Sequence, residues 1–462
     1  MGAMREAELL DELRVAVGPL NVLVDTDLRA SHETDWTRRW HGDAIAVVRP
    51  GSAEEVSAAL VASAGADAAV IPQGGNTGLV GGSVPRAMAS RPQVVLSTVR
   101  LRHLEAVDAM AGEVTVDAGV TLGALQAHVR GAGFDFGVDL GARDSATIGG
   151  MIATNAGGMQ VLRHGPMRAQ LVGVEAVLAD GSIVRRLPGL VKDNTGYHLP
   201  SLLAGSEGTL AVITRARLRL VPLRPRRATA LCAVQDAAAA VALMTALRDR
   251  LPDLLAAELL FDEGISLVLA HAGGERPFPE AYPAYLLVEV DGTNDRTPEL
   301  AAALEQAGDL LHDAVLASDA GARERLWRLR ERHTEAVNAE AVPHKLDVAV
   351  PVAGLAAFVD AVREAVAGVA ADASVYLYGH AGDGNLHVNV VGPPPEDEAV
   401  DDAVLELAIR HGGTISAEHG IGVAKVGWLE RDRGTADVNA MRAIKRALDP
   451  TGLLNPGVLL AD

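Results

Sequence analysis

VIPQGGNTGLVGGSVP, residues 70–85, follows an apolar run and packs Gly74, Gly75, Gly78, Gly81 and Gly82 into nine positions. Glycines let successive backbone N–H groups converge on one anion. A pyrophosphate suits such a nest, because the main chain can approach it with no side chain in the way. The spacing matches neither GxGxxG nor a phosphate loop ending in GK[ST], which disfavours NAD and ATP. One glycine-rich loop is equally compatible with a surface turn. Two further tracts argue against a mere turn: GARDSATIGGMIATNAGGMQVLRHG (141–165) and KDNTGYHLPSLLAGSEGTLAVIT (192–214). Together the three call for a large, polar, flat ligand.

Around these tracts the chain has a βα rhythm. AIAVVRP (44–50) and AAVIPQGG (68–75) have strand character and flank SAEEVSAALVASAGA (52–66), a Ser-capped helical pattern, so a βαβ unit is expected. Short strands are predicted at 94–98 and 113–119, a helix from Thr121 to about Gly131, and a long strand over 209–223. LVGVEAVLADGSIVRR (171–186) reads as a hairpin around Asp180-Gly181. PLRPRRAT (222–229) shifts to Pro and Arg and marks a domain boundary. Beyond it, an Ala-rich helix is expected at 235–250, and the apolar 228–247 stretch is read as a packed helix rather than a membrane span. Helices at 299–312, 320–340, 354–370 and 396–413 and strands at 285–292, 346–351, 374–380 and 386–391 follow. The pattern predicts an α+β module, an antiparallel sheet with helices on one face. The expected domains are 1–40, an N-terminal helix and arm; 41–222, cofactor binding; 223–411, a substrate or cap domain; and 412–462, a C-terminal segment returning to the first domain.

With 462 residues, 49% hydrophobic, the chain can bury more than one core, and its net charge of −19 disfavours nucleic acid. Cys232 is the only cysteine, which excludes an intrachain disulfide and a thiolate metal cluster and suggests a cytoplasmic location. No secretory signal is evident at the N-terminus, and no membrane span is expected because the 228–247 stretch is interrupted by Gln235 and Asp236.

A second constellation lies in VYLYGHAGDGNLHVNVVG (375–392), two strand-like arms joined by a turn-forming AGDGN. The hairpin is expected to set His380 opposite His387, with Asn389 on the same face as His387. SAEHGIG (416–422) adds Glu418 and His419. A lone His beside glycines is usually a hydrogen-bonded turn residue. Two His and a carboxylate form a recognised ligand set for a divalent metal, Zn or Mn first, with Fe or Co also suited. LWRLRERHTEAV (326–337) places Arg330 and Thr334 one helical turn apart, and HKLDVAVP (344–351) begins a strand with Lys345. Spacing alone does not separate Arg330 from a solvated neighbour such as Arg328.

The three tracts resemble those of FAD enzymes of the vanillyl-alcohol oxidase and p-cresol methylhydroxylase type, over essentially the whole chain from about Ala44. The resemblance implies a two-subdomain FAD-binding domain plus an α+β cap domain with an antiparallel sheet. It implies flavin contacts at Gln73, Gly74, Gly75, Asn76, Thr77, Gly78, Ser83, Ser145, Gly149, Gly150, Asn155, Glu207 and Ile213. Members that tether FAD often have His where this chain has Asn76, so noncovalent FAD is expected.

HxGDGNxH with a downstream EHG resembles the metal-dependent D-2-hydroxy-acid dehydrogenase branch of the same family, which includes D-2-hydroxyglutarate and D-lactate dehydrogenases. That implies metal ligands His380, His387 and Glu418 and substrate contacts Arg330, Thr334 and Lys345; beside them, Asn389 is expected to hold the substrate and His419, adjacent to Glu418, to act as general base. The implied reaction is oxidation of a D-2-hydroxy acid, D-2-hydroxyglutarate before D-lactate or D-malate, by hydride transfer to flavin. Electrons would pass to an electron-transfer flavoprotein, a quinone or a cytochrome. A homodimer is compatible with this reading. The rivals are a non-redox transferase of the ether-lipid synthase type and a flavin electron-transfer subunit of a glycolate- or lactate-oxidising complex.

Overall fold

Ser52 accepts a hydrogen bond from Glu55 N–H at 3.1 Å and starts the helix Ala53–Gly65, whose buried Val56, Ala59 and Leu60 cover the first sheet. That sheet holds β1 (Val22–Leu23), β2 (Ala46–Val48), β3 (Ala69–Gln73) and β4 (Gln93–Ser97) in the order β1-β2-β4-β3. β2 and β3 pair in parallel with β4 rather than with each other. β4 is buried at every position, so it takes the place between the two strands that the sequence pattern had made neighbours. This is a computed structural model, and it describes residues 3–190 and 192–461.

The second sheet of this unit is antiparallel. It orders β5 (Glu113–Asp117), β7 (Leu171–Val177), β8 (Ile183–Arg186) and β9 (Val212–Arg219) as β5-β9-β7-β8, while β6 (Phe134–Asp135) pairs with β10 (Val221–Pro222). β7 and β8 are the hairpin expected around Asp180-Gly181. The second glycine tract contains an element the sequence pattern did not suggest, the helix Ile148–Thr154. Gly149 sits inside it because a Cβ there would lie 2.6 Å from Ala118 Cβ. Ile148 and Ile152 face a core with Val116, Leu122, Leu125 and Leu218. The C-terminal segment completes the unit: Val70 N–H bonds to Leu453 O and Asn455 N–H to Val70 O, both at 2.8 Å.

By contact the chain forms two units. One is Met1–Gly158, Gly165–Pro222 and Glu418–Asp462, and the other is Met159–His164 and Leu223–Ala417. Met159–His164 goes with the second unit because Leu162 packs on Gly382 and Arg163 pairs with Asp253 at 3.4 Å and with Asp291. Residues 412–417 also stay with it. Thr414 N–H bonds to Ala349 O at 2.8 Å and Ala417 N–H to Asp347 O at 3.3 Å.

The second unit is built on one sheet of seven strands: β11 (Arg226–Val234), β12 (Leu254–Phe261), β13 (Ala284–Gly292), β14 (Asp313–Leu316), β15 (His344–Ala349), β16 (Ser374–His380) and β17 (Asn385–Val391). Their order is β14-β11-β13-β12-β16-β17-β15, and every neighbouring pair is antiparallel. Two expectations are corrected. The 228–247 stretch is not one helix: Arg226–Val234 is β11, paired with both β13 and β14, while the helix expected at 235–250 is present as Ala237–Arg250. Nor do helices cover one face alone, since β12 and β13 are buried at every position and therefore lie under cover on both faces. Among the described residues no helix is long and apolar enough to cross a membrane.

Leu287, fully buried on β13 among Leu231, Leu260 and Trp327, tests this core. Leu287→Ala is expected to cost ~2–5 kcal/mol in urea unfolding. Val15→Ala, on an exposed side chain, should stay within about 0.5 kcal/mol of the parent.

Candidate active site

In the first unit the glycine tracts meet through their backbones. A Cβ on Gly75 would lie 1.8 Å from Ser145 O, and one on Gly74 would lie 2.3 Å from Thr147 Oγ1. Gly150 also borders Thr147 Oγ1, which is buried and makes no hydrogen bond among the described residues. A polar atom left over beside side-chain-free backbone fits a polar, flat cofactor such as a flavin. Gln73, buried at the end of β3, donates to His32 O at 2.9 Å and Ser83 O at 2.8 Å. Asn76, in the left-handed region, donates to Ser31 O and Thr34 O at 3.2 and 2.9 Å and accepts from Ser83 Oγ at 2.9 Å. Thr77 and Gly78 continue that half-buried loop. Asn155 caps the helix Ile148–Thr154 and accepts from Arg168 N–H at 2.8 Å, while Ile213 is a buried β9 residue.

Glu207 is committed to protein groups. Its carboxylate accepts Ile421 N–H at 2.8 Å and Gly422 N–H at 2.7 Å, and its own N–H bonds to Ala153 O at 2.8 Å. Burial pushes its pKa up, against the pull of those two N–H groups and of Lys425. The third tract thereby holds both the second tract and the stretch that follows Glu418-His419. Within the same unit a Cβ on Gly157 would lie 2.8 Å from Glu418 Oε1, so the Glu418 carboxylate rests against the second tract. His419, next in the chain, is half-buried.

In the second unit, strand alternation collects polar residues on one face. Glu258 on β12 pairs in register with His380 on β16; Tyr376, Tyr378 and His380 pair with Asn389, His387 and Asn385 on β17; Asn389 and His387 pair in turn with Lys345 and Asp347 on β15. His387 is therefore opposite Tyr378, not His380, yet the imidazoles share the face with ring centres 5.7 Å apart. His380 Nδ1 lies 2.7 Å from Glu258 Oε1, and His387 Nδ1 lies 3.7 Å from Asp347 Oδ1. Two imidazoles, one of them hydrogen-bonded to Glu258, together with the nearby Asp347 carboxylate and no thiolate, fit a divalent cation. Glu418 and His419 directly follow Ala417, whose N–H is bonded to Asp347 O.

Arg330 and Thr334 are not on one helix. The helix Ala320–Glu331 ends at Arg332 and a second helix, His333–Glu340, begins, which turns His333 inward. Both residues nevertheless reach Tyr378: the Arg330 guanidinium stacks 4.6 Å from its ring, and Thr334 Oγ1 lies 2.9 Å from its hydroxyl. Arg330 Nε also donates to Glu258 Oε2 at 2.6 Å. Asn389 is buried and reaches Tyr376 O at 3.4 Å.

Burial lowers the Lys345 ammonium to about 8. Burial, then Arg330, lowers the His333 imidazole to about 3, so it packs as a neutral ring 4.7 Å from Tyr378. Burial also works against ionisation of Glu258, but His380 and Arg330 outweigh it and hold the carboxylate below its usual range. Asp383 in the turn moves the other way, raised by burial and by Glu258 and Asp347 despite His380 and the Asn385 N–H. Sequence reasoning missed Glu258, Asp347 and Tyr378. The signal for the two acids was present: each is the one charged group inside an apolar run, LLAAELLF and LDVAV.

A family profile for FAD binding domains matches residues 44–186, and one for the C-terminal domain of FAD linked oxidases matches 223–459. The chain belongs to this family of FAD-linked oxidases and is a flavoprotein oxidoreductase. Within the family it stands beside proteins named D-2-hydroxyglutarate dehydrogenase. It is 37% identical over 456 residues to the mitochondrial one of Danio rerio, covering 97% of this chain and 84% of that protein. It is also 37% identical over 461 residues to that of Xanthomonas citri pv. viticola, covering 97% and 96%. In fold it matches p-cresol methylhydroxylase with substrate bound, at TM-score 0.77 and 16% identity, over 100% of this chain and 98% of that one.

Gly75→Ala must push the Ser145 backbone aside. Purified variant protein is expected to lose most of its flavin absorbance per chain while keeping its far-UV circular dichroism; retention of full flavin content would show that this approach is not needed for the cofactor.

Proposed function

We propose that the protein oxidises a D-2-hydroxy acid, D-2-hydroxyglutarate foremost, to the 2-oxo acid, using noncovalent FAD and a divalent metal, Zn or Mn, on His380, His387 and Glu418. The observation that carries this reading is the polar sheet face, where two histidines and the carboxylates of Glu258 and Asp347 stand beside Asn389 and Lys345 and near the Arg330–Tyr378–Thr334 group. The names of the relatives favour it over the ether-lipid transferase and the electron-transfer subunit.

When bound, FAD supplies a hydride acceptor and the metal a Lewis acid towards the substrate hydroxyl. The chain's own residues do the rest. Lys345, Arg330 and Thr334 hold the substrate carboxylates, since ammonium and guanidinium groups with little water around them pair strongly with anions. Asn389 orients the C2 substituents through its amide. His419 accepts the hydroxyl proton as the C2–H is lost, a role worth ~10²–10⁴-fold in rate. Substrate thus gives up one proton and one hydride. The electrons leave to an acceptor of the electron-transfer flavoprotein, quinone or cytochrome class. The Asn76 carboxamide is not a nucleophile that can bond to a flavin as an imidazole nitrogen can, which supports a noncovalent cofactor.

Two measurements test this. Acid precipitation is expected to release the flavin into the supernatant, and D-2-hydroxyglutarate, but not its L-enantiomer, is expected to bleach the yellow protein under anaerobic conditions; colour that stays with the pellet or is indifferent to the D-acid would refute the corresponding part. Lys345→Met is expected to raise KM for D-2-hydroxyglutarate ~10–100-fold, the loss of one charge-assisted hydrogen bond, with a smaller change in kcat. An unchanged KM would remove Lys345 from the substrate clamp.

A further inference from the structure

Glu258 stands in the middle of β12 with no exposed surface, and its two oxygens are divided between two partners of different kinds. Oε1 faces His380 Nδ1 at 2.7 Å, and Oε2 accepts Arg330 Nε–H at 2.6 Å. An ionised carboxylate can only accept, so the proton on this side of His380 belongs to Nδ1, and Nε2 is the ring's donor atom for a metal. The backbone fixes the geometry, because Glu258 and His380 are directly paired across β12 and β16. Arg330, held by the other oxygen, lies over the ring of Tyr378, two residues before His380 on the same strand face.

Other buried acids of the sheet are employed differently. Glu289 on β13 accepts from Arg323, Trp327 and Thr229, a cluster that ties the helix Ala320–Glu331 to the sheet without touching either histidine. Glu258 joins an imidazole of the polar face to a guanidinium beside it.

We propose that Glu258 is a positioning residue shared by metal ligand and substrate clamp: one carboxylate sets the metal-facing tautomer of His380 and fixes Arg330 for the substrate, so that the two functions are coupled. The proposal rests on the functional reading above and adds a residue to it.

The test uses full-length, FAD-loaded protein, zinc affinity measured by competition with a colorimetric chelator, and steady-state kinetics with D-2-hydroxyglutarate. Glu258→Gln keeps the shape of the side chain, but its amide can accept from one of the two donors only and turns an NH₂ group on the other. Zinc is expected to bind ~10–100-fold more weakly, the usual loss when the partner behind a ligating His is removed. KM should rise more than kcat falls. Arg330→Lys should raise KM less in the Glu258→Gln background than in the parent, a non-additivity that a merely structural residue would not produce. Glu258→Asp keeps the charge and should restore part of the affinity. A Glu258→Gln protein with parental zinc affinity overturns the proposal; should that variant not fold, parental zinc affinity and KM in Glu258→Asp do the same. Parent protein that binds no zinc yet oxidises the acid overturns the metal reading itself, and the proposal with it.

Discussion

Period-two alternation along β12, β16, β17 and β15 is the constraint on which the chemistry of the second unit depends. Glu258, Tyr376, Tyr378, His380, Asn385, His387, Asn389, Lys345 and Asp347 share a face because their strands pair in one particular register. A slip of one residue between any two of these strands would send that strand's polar set to the opposite face, among apolar side chains. The short turn Ala381–Gly384 pins the β16–β17 register. Gly384 has φ +80°, and a Cβ there would lie 2.0 Å from Val350 O, so the turn admits little else. With the register set, the charges on the face follow: Glu258 pairs with His380 and Asp347 with His387, and Lys345 and Arg330 lie beside them.

In the first unit the corresponding constraint is backbone against backbone. The glycine tracts approach until carbonyl and Cα are in contact, and the polar side chains nearby serve to hold the loops. Asn76 spends its amide on the N-terminal arm and on Ser83, and Glu207 spends its carboxylate on the N–H groups of Ile421 and Gly422. Residues that a family resemblance marks as cofactor contacts thus also act as fasteners. Val423 N–H, bonded to Val80 O at 2.9 Å, completes the attachment of the stretch after Glu418-His419 to the first tract.

Much of this was legible in the sequence, for definite reasons. Glycine clustering and the repeated His around AGDGN are local signals, and they pointed to the loops and the hairpin that the fold contains. The errors came where tertiary context overrides local preference. Arg226–Val234 is rich in alanine, a helix former, but lies inside a sheet with partners on both edges. The helix Ile148–Thr154 carries two glycines and looked like loop, and it exists because Ile148, Met151 and Ile152 are buried. The His–His cross-strand pair was off by two positions because the turn closes with Asn385 opposite His380. Glu258 stands out in LLAAELLF as a lone charge, but its role does not, since its partner His380 lies on another strand 122 positions away.

The segmented composition of the first unit bears on how the protein is made. A ribosome delivers the chain from the N-terminus, and everything the second unit contains, ending at Ala417, is synthesised before Glu418–Asp462. Those last residues supply the bridge from Leu454 to Val70, the Lys445 ammonium that bonds Thr209 O and Leu454 O, and the N–H groups that satisfy Glu207. The cofactor unit, first to begin, is therefore the last to close. Its nascent form has an incomplete sheet edge and a buried acid without its partners, so synthesis of Glu418–Asp462, rather than emergence of the first domain-sized length, is the event that completes it.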